Sequence, residues 1–383
     1  MHPAERSRRS RRFRALVVAT MLLSTLLVGL DTLMWFRLER VLDRRLAALA
    51  QDARASGWHF TARAGERGGW PLSATLILIR PTLAGADRLI PGGIGWSGER
   101  ATLSLSLLPP HRTTIIAGGT QTLSVASGSP DAVALRFWAA RLALHLPDDD
   151  DARGQAGTRQ FSFDAEALHV AAPGSGPDDI AQLADANGRL DWPPTRTPDQ
   201  AAASVPAGPD QPAVSLSLDL HDIALPARLR TPMRVLQQAR LRLQLTGRRP
   251  ELQMRLKDAL DRWRGSGGQL RITEASLEWG GSSAALAGDA GLDADGALDG
   301  GFQLALTQPD PVLRQLEEAG LLRPGVSRSI AAVLGLIAAS EPGPHIHLPL
   351  DLRHGLLSLG RIPLLQIGPR PGSATGTASV STP

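Results

Sequence analysis

The chain has 383 residues, 43% hydrophobic, 20% charged and 4% aromatic, with 39 Gly, 29 Pro and neither Cys nor Tyr. The apolar content predicts a folded body of one large or two small domains, and the absence of Cys excludes disulfide scaffolds, zinc ribbons and thiol catalysis. The net charge of +4 is confined to residues 1–36, where six Arg stand against Glu5 and Asp31; removing these from the totals of 41 and 37 leaves 35 basic and 35 acidic residues, a neutral body unsuited to nucleic-acid backbones.

Residues 1–14 carry Arg6, Arg8, Arg9, Arg11, Arg12 and Arg14 and read as a cytoplasmic tail. Ala15 to Leu30 is free of charge, and Leu33, Met34, Trp35 and Phe36 restore the apolar character after Asp31. About 20 apolar residues span a bilayer core, so residues 15–36 are expected to form a transmembrane anchor, with Trp35 and Phe36 at the depth where aromatic rings collect. A cleaved signal peptide is the competing reading, disfavoured because no small-x-small site follows Leu30. Asp31 fits a solvated position near the interface better than an intramembrane functional carboxylate. The positive-inside rule keeps the Arg cluster in the cytoplasm and sends the remainder across, into the periplasm if the membrane is a bacterial inner membrane.

Residues 37–57 are expected to be an amphipathic helix, since Leu38, Val41, Leu42, Leu46, Leu49 and Ala53 recur at three- and four-residue spacing. The stripe can dock on the chain's own domain, lie at the membrane surface or pair with another copy.

From Trp58 the period changes to two. Leu103, Leu105 and Leu107 alternate with Thr102, Ser104 and Ser106; Val214, Leu216, Leu218 and Leu220 alternate with Ser215, Ser217 and Asp219. Leu241–Leu243–Leu245, Phe302–Leu304–Leu306 and Ile346–Leu348–Leu350–Leu352 repeat the pattern of one-sided strands. Further strands are expected at Leu72 to Ile79, Thr113 to Val125, Val133 to Leu146, Phe161 to Val170 and Leu270 to Trp279. Gly-, Pro- and Asp-rich turns between them imply antiparallel pairing. Helices are expected at Leu252 to Arg264, Pro311 to Ala319 and Ser327 to Ala339; in the first, Leu252, Met254 and Leu256 also fit a strand. The fold class is therefore mainly β with a few helices (α+β): one N-terminal transmembrane helix, then a curved antiparallel-sheet periplasmic domain over 58–368. Low-complexity inserts are expected between about 147 and 212 (Pro147 to Gly157, Ala171 to Asp178, Pro193 to Pro212), and a disordered tail over 369–383.

Catalytic patterns fail one by one. Gly93-Ile94-Gly95-Trp96-Ser97-Gly98 matches a dinucleotide glycine pattern, but Pro91-Gly92 precedes it and an alternating strand follows, where a helix N-terminus is needed to receive the pyrophosphate. Lys257 is the sole Lys and no glycine-rich loop precedes it. No G-x-S-x-G occurs. Asp289, Asp293, Asp295 and Gly296 resemble part of a calcium loop, yet Gly291 and Phe302 occupy ligand positions, and a hairpin at Asp295-Gly296 explains them. His345 and His347 would share one strand face as a metal pair could; with Asp351 and His354 nearby no third ligand converges, and solvent-facing positions are the simpler reading. No enzyme, metal or cofactor is expected.

What remains is a series of landmarks: Gly69-Trp70-Pro71, Trp96, Trp263-Arg264 with Gly267-Gly268, Trp279-Gly280, Gly288, Leu292-Asp293, Gly296, Gly300, Asp351, Gly355 and Leu359-Gly360. With the N-terminal anchor, this order resembles the Gram-negative envelope proteins of the domain of unknown function 2125 family, most clearly over residues 58–108 and 255–365. Departures are the inserts and Arg361, where the resemblance implies Pro. The family carries no established catalytic residues. The chain is also distantly similar in architecture to AsmA-like proteins, whose curved antiparallel sheets are associated with lipid handling between membranes. The resemblance implies an uncharacterised inner-membrane-anchored periplasmic protein binding envelope lipids in an apolar β-groove. Leu103, Leu105, Leu216, Leu218, Leu243 and Leu304 are the candidate lining. The alternative is a non-catalytic structural or assembly protein of the envelope, with those residues as closed core. The expected partners are the inner membrane and lipid, not nucleic acid.

Overall fold

The computed structural model describes Met21, Thr32, 35–37, 39–51, 53–71, 73–87, 90, 92–106, 113–125, 133–147, 159–172, 174–176, 179–192, 212–227, 234–247, 254–318, 326–340, 345–359 and 362–366. The cytoplasmic tail, most of the anchor including Asp31, the inserts at 148–158 and 193–211, Leu38, Leu107, Leu252 and the C-terminal tail lie outside the described residues. Among the described residues no helix is long and apolar enough to cross a membrane.

A helix, α1, covers residues 39–51 and 53–55. Among the described residues it leads into sixteen strands: β1 Trp58–Gly68, β2 Ser73–Gly85, β3 Ile94–Ser106, β4 Thr113–Val125, β5 Val133–Trp138, β6 Arg141–Leu146, β7 Arg159–Ala171, β8 Ala181–Trp192, β9 Val214–Ala224, β10 Val235–Leu245, β11 Leu270–Trp279, β12 Ser282–Leu292, β13 Leu298–Thr307, β14 Ile346–Arg353, β15 Leu356–Leu359 and β16 Ile362–Gln366. Three further helices interrupt the series: α2 Leu256–Gly265, between β10 and β11, and α3 Asp310–Glu318 and α4 Val326–Ser340, between β13 and β14.

All strands belong to one sheet in which neighbours in sequence pair antiparallel. Such a meander needs only short connections and fits the turn-rich spacing of the strands. One departure from simple order is β5 and β6, which follow one another in a single row between β4 and β7. The expected strand Val133 to Leu146 is thus divided at Ala139-Ala140. Both halves keep the same register on β7, from Trp138↔His169 to Arg141↔Glu166. Opposite the break, Ala167 has a φ of 49° and the Ala140 N–H donates to the Glu166 carbonyl at 3.0 Å. The row bends here without slipping on β7, while against β4 its register shifts by one residue between Gln121↔Phe137 and Ile116↔Ala143.

The structure resolves the ambiguity at 252–264 in favour of a helix that begins at Leu256. Strands β1, β8, β12, β15 and β16 are additions to the expected set. Alternation is weak in β12, which reads SSAALAGDAGL; β1 alternates from Trp58 to Ala64 and then breaks, with register shifts against β2 at Thr61/Arg63 and Ala64/Arg67. The glycine run Gly93 to Gly98 lies at and within β3, so extended backbone occupies the place a phosphate-binding helix would require.

Candidate functional site: an apolar sheet face

Directly paired residues of an antiparallel sheet project to the same face, so the register traces which side chains stand together. Starting at Leu76, the pairing runs Leu76↔Leu103↔Ile115↔Leu144↔Phe163↔Gly188↔Leu218↔Leu241↔Ala275↔Leu286↔Leu304↔Leu348. Every member is apolar from β2 to β14. A row two residues to one side runs Phe161↔Leu190↔Leu216↔Leu243↔Ile272↔Gly288↔Phe302↔Leu350. A row to the other side runs Leu142↔Ala165↔Ala186↔Leu220↔Ala239↔Leu277↔Ala284↔Leu306↔Ile346. One sheet face is thus a continuous apolar band, perpendicular to the strands.

The two glycines in the band sit beneath aromatic rings. A Cβ at Gly188 would lie 2.0 Å from Phe163 Cε1, and one at Gly288 would meet Phe302 Cδ1 at 2.7 Å and the Gly301 carbonyl oxygen at 2.3 Å. Each Phe lies over its cross-strand glycine, and the band continues where a side chain is missing.

The opposite face carries the intervening polar residues. Asp219 lies 3.4 Å from Arg240 and 3.7 Å from Arg242, and Arg242 lies 3.0 Å from Glu274. His145 and Arg141 meet Asp164, at 2.6 and 3.8 Å. These exposed pairs between neighbouring strands form a solvated surface and contribute little stability each.

The band is covered differently along its length. At the β2–β3 end α1 lies on it: Leu42, 3% exposed, is clustered with Ala74, Leu76, Leu78, Ala101, Leu103 and Leu105, flanked by Val41 and Leu46. Arg45 Nη1 donates to Thr113 Oγ1 at 2.5 Å, Arg67 pairs with Asp43 at 3.2 Å, and Trp35 Nε1 donates to the Ser73 carbonyl at 3.1 Å. Of the three fates open to the amphipathic stripe, the structure realises docking on its own domain. The candidate lining residues Leu103 and Leu105, each 1% exposed, are therefore closed beneath this helix.

At the other end α3 and α4 stand over β11–β14 and form with them a half-open pocket of about 410 Å³. Leu304, Leu306, Leu348 and Leu350 form its sheet wall, and Val312, Leu313, Ile330 and Leu334 face them from the helices. Leu304 therefore lines this pocket. Between the two covered ends, Leu216, Leu218, Leu241 and Leu243 are only half-buried. The six candidate residues lie on one face but in three environments: helix-covered, half-buried and pocket-lining.

Four of the landmarks, Trp263, Arg264, Asp293 and Gly355, meet at a different place. Trp263, 5% exposed on α2, donates from Nε1 to the Thr246 carbonyl at 2.8 Å. Arg264 Nη1 reaches the carbonyls of Asp293 and Ala294 at 2.9 and 2.6 Å. Asp293 Oδ1 accepts the N–H groups of Asp295 and Ala297 at 2.9 and 2.8 Å, and its Oδ2 lies 2.7 Å from His354 Nδ1. The Gly355 N–H bonds the Leu298 carbonyl at 2.9 Å. These contacts tie α2, the β12–β13 turn and the β14–β15 turn together, a structural role for Trp263, Arg264, Asp293 and Gly355.

Asp293, Asp295 and His354 bring one ligand atom each within 4.8 Å of one another. The Asp293 carboxylate is already engaged by the turn, and its pKa is lowered, first by the hydrogen bond from Ala297 and then by those from His354 and Asp295. A depressed folded-state value means that this contribution is present at neutral pH and lost as pH falls below the ordinary carboxylate pKa and through the lowered one. We expect urea midpoints measured at neutral and acidic pH to fall less in Asp293→Asn than in the wild type; an equal acid sensitivity would remove Asp293 from this role. His345 and His347 keep their rings 6.3 Å apart, and His345 Nδ1 lies 2.8 Å from Thr307 Oγ1. Neither belongs to a ligand cluster among the described residues.

A family model described as an uncharacterized protein conserved in bacteria matches residues 35–368. No curated protein matches the chain, and no solved structure does.

Proposed function

The chain belongs to the uncharacterized bacterial family DUF2125, and from that premise we propose that it is an inner-membrane-anchored periplasmic protein that holds envelope lipids by their acyl chains on the apolar face of its sheet, without catalysing a reaction. The observation that carries this reading is the half-buried stretch of the band at Leu216, Leu218, Leu241 and Leu243, continuous with a lipophilic pocket at Leu304 and Leu348. A contiguous apolar stretch left only half-buried is where a ligand or partner can complete the burial. Burying a chain of about ten methylenes gains roughly 8 kcal/mol, enough to offset much of the cost of association without a charged headgroup site. The neutral body agrees with that.

The test is lipid content. Full-length protein extracted in mild detergent is expected to retain phospholipid by native mass spectrometry, and Leu218→Asp to lose it while keeping its β-sheet circular dichroism. A lipid-free wild type together with an unfolded Leu218→Asp would identify a closed core and favour the structural or assembly reading. For topology, a reporter active only in the periplasm is expected to work when fused after Gly57; activity of a cytoplasm-only reporter there would reverse the orientation.

A further inference from the structure

We propose that the β1–β2 turn, Gly69-Trp70-Pro71, is a second membrane contact, its Trp70 ring seated in the headgroup layer of the same bilayer that the anchor enters. This rests on the anchor reading and adds to it a fixed orientation of the sheet on the membrane.

The sheet is tied to the start of the helical segment at two levels. Trp35 donates to the Ser73 carbonyl at 3.1 Å, while Asp43, eight residues on, meets Arg67 at 3.2 Å. Trp35 and Asp43 both stand in helical backbone. The β1–β2 hairpin therefore runs alongside the helical segment, with the Arg67 level at the Asp43 end and the turn at the Trp35 end. The Ser73 N–H and Oγ both bond the Gly69 carbonyl, at 3.0 and 3.1 Å, which holds the turn closed against that contact. Immediately before Trp35 in the chain come Leu33 and Met34 and the charge-free run Ala15 to Leu30.

The exposed side chains at this corner include Arg37, Glu66 and Arg67, and among them stand two aromatic rings. Trp70 is 53% exposed and Phe36 49%, and Phe36 packs edge-on against Trp35 with ring centroids 5.3 Å apart. Large aromatic rings left in water beside a hydrophobic segment cost free energy, whereas the bilayer interface accepts an indole with its apolar body inward and its N–H toward water. The occupant that fits is a lipid surface, because the chain leading into this corner is the segment with the length and composition to enter one.

The chain contains no Cys, so a single introduced thiol can be labelled without background. Full-length W70C, F36C and D299C proteins, the last on an exposed strand position of β13, are spin-labelled and reconstituted into phosphatidylethanolamine–phosphatidylglycerol vesicles. Collision with oxygen and with a water-soluble nickel chelate is then read by power saturation. The labels at 36 and 70 are expected to lose access to the chelate and gain access to oxygen, while the label at 299 stays fully aqueous. If the label at 36 is membrane-buried and that at 70 is as wet as that at 299, the docking is wrong and the anchor stands. If the label at 36 is also wet, the anchor reading fails and the docking with it. Should W70C misfold, quenching by dibrominated phospholipid decides: the quenchable tryptophan fluorescence falls in Trp70→Phe if Trp70 contacts lipid, and an unchanged quenchable fraction overturns the proposal.

Discussion

Leu103→Ala is expected to cost the folded body about 3 kcal/mol, as for a fully buried leucine whose surroundings relax little on truncation. Leu103 is 1% exposed, pressed between its partners Leu76 and Ile115 and the α1 residue Leu42. The sheet backbone cannot collapse into the space, since around Leu103, from Arg100 to Leu105, β3 pairs without a break with both β2 and β4. Leu42→Ala is expected to be costly for the same reason, and the two together less costly than their sum, with a coupling of about 0.5 kcal/mol or more because the residues share one contact region. Equilibrium denaturation of the two single variants and the double variant measures this. A Leu103→Ala cost below about 1 kcal/mol, with strict additivity, would mean that α1 is not seated on the band.

The second large effect is expected at α2. Trp263→Ala removes a buried indole and its hydrogen bond to Thr246, at a cost of about 4 kcal/mol. Gly268→Ala attacks the same contact from the opposite side: its Cβ would lie 2.3 Å from Trp263 Nε1 and 2.4 Å from Cδ1 and Cε2. The ring is held by its N–H on the Thr246 carbonyl at 2.8 Å and cannot swing aside without breaking that bond. Overpacking of this kind costs about 1–3 kcal/mol. The diagnostic is the double variant. Once the indole is gone the added methyl has room, so Gly268→Ala in a Trp263→Ala background is expected to cost close to nothing. Additive costs would show that Gly268 serves something other than this ring.

The strands with strict alternation were legible because one buried face and one solvated face leave a period of two in the residues themselves; β9 and β14 fall where that pattern places them. The missed strands have small residues where the partner supplies the bulk. In β12, Gly288 and Ala284 read as turn or helix composition, yet they stand opposite Phe302 and Leu306, whose side chains fill the face. In β8, Gly188 is the counterpart of Phe163. A single strand does not record what its neighbour provides.

The candidate lining was legible for a related reason and to a related extent. Leu103, Leu216, Leu243 and Leu304 each announce an apolar face, but a groove lining and a core need the same alternation. What separates them is coverage, and coverage comes from elements distant in sequence: α1 for Leu103 and Leu105, α3 and α4 for Leu304. The companions Leu144, Phe163 and Leu241 become evident once the register aligns the strands. The order of the Trp and Gly landmarks pointed to the family; their grouping around Trp263, Arg264 and Asp293 depends on turns brought together by the fold.

The lipid-binding claim is tested most directly by photocrosslinking in living cells along one strand. A photoreactive amino acid is placed in turn at Leu216, Leu218 and Leu220, and at Ser217 and Asp219, in cells whose phospholipids carry radioactive phosphate. If acyl chains lie on the apolar band, label transfers to the protein from 216 and 218 on the band, with 220 at its margin, and not from 217 and 219 on the opposite face, a period of two along β9. Transfer without that alternation, or none from any position in a protein that remains folded, would contradict lipid binding on this face.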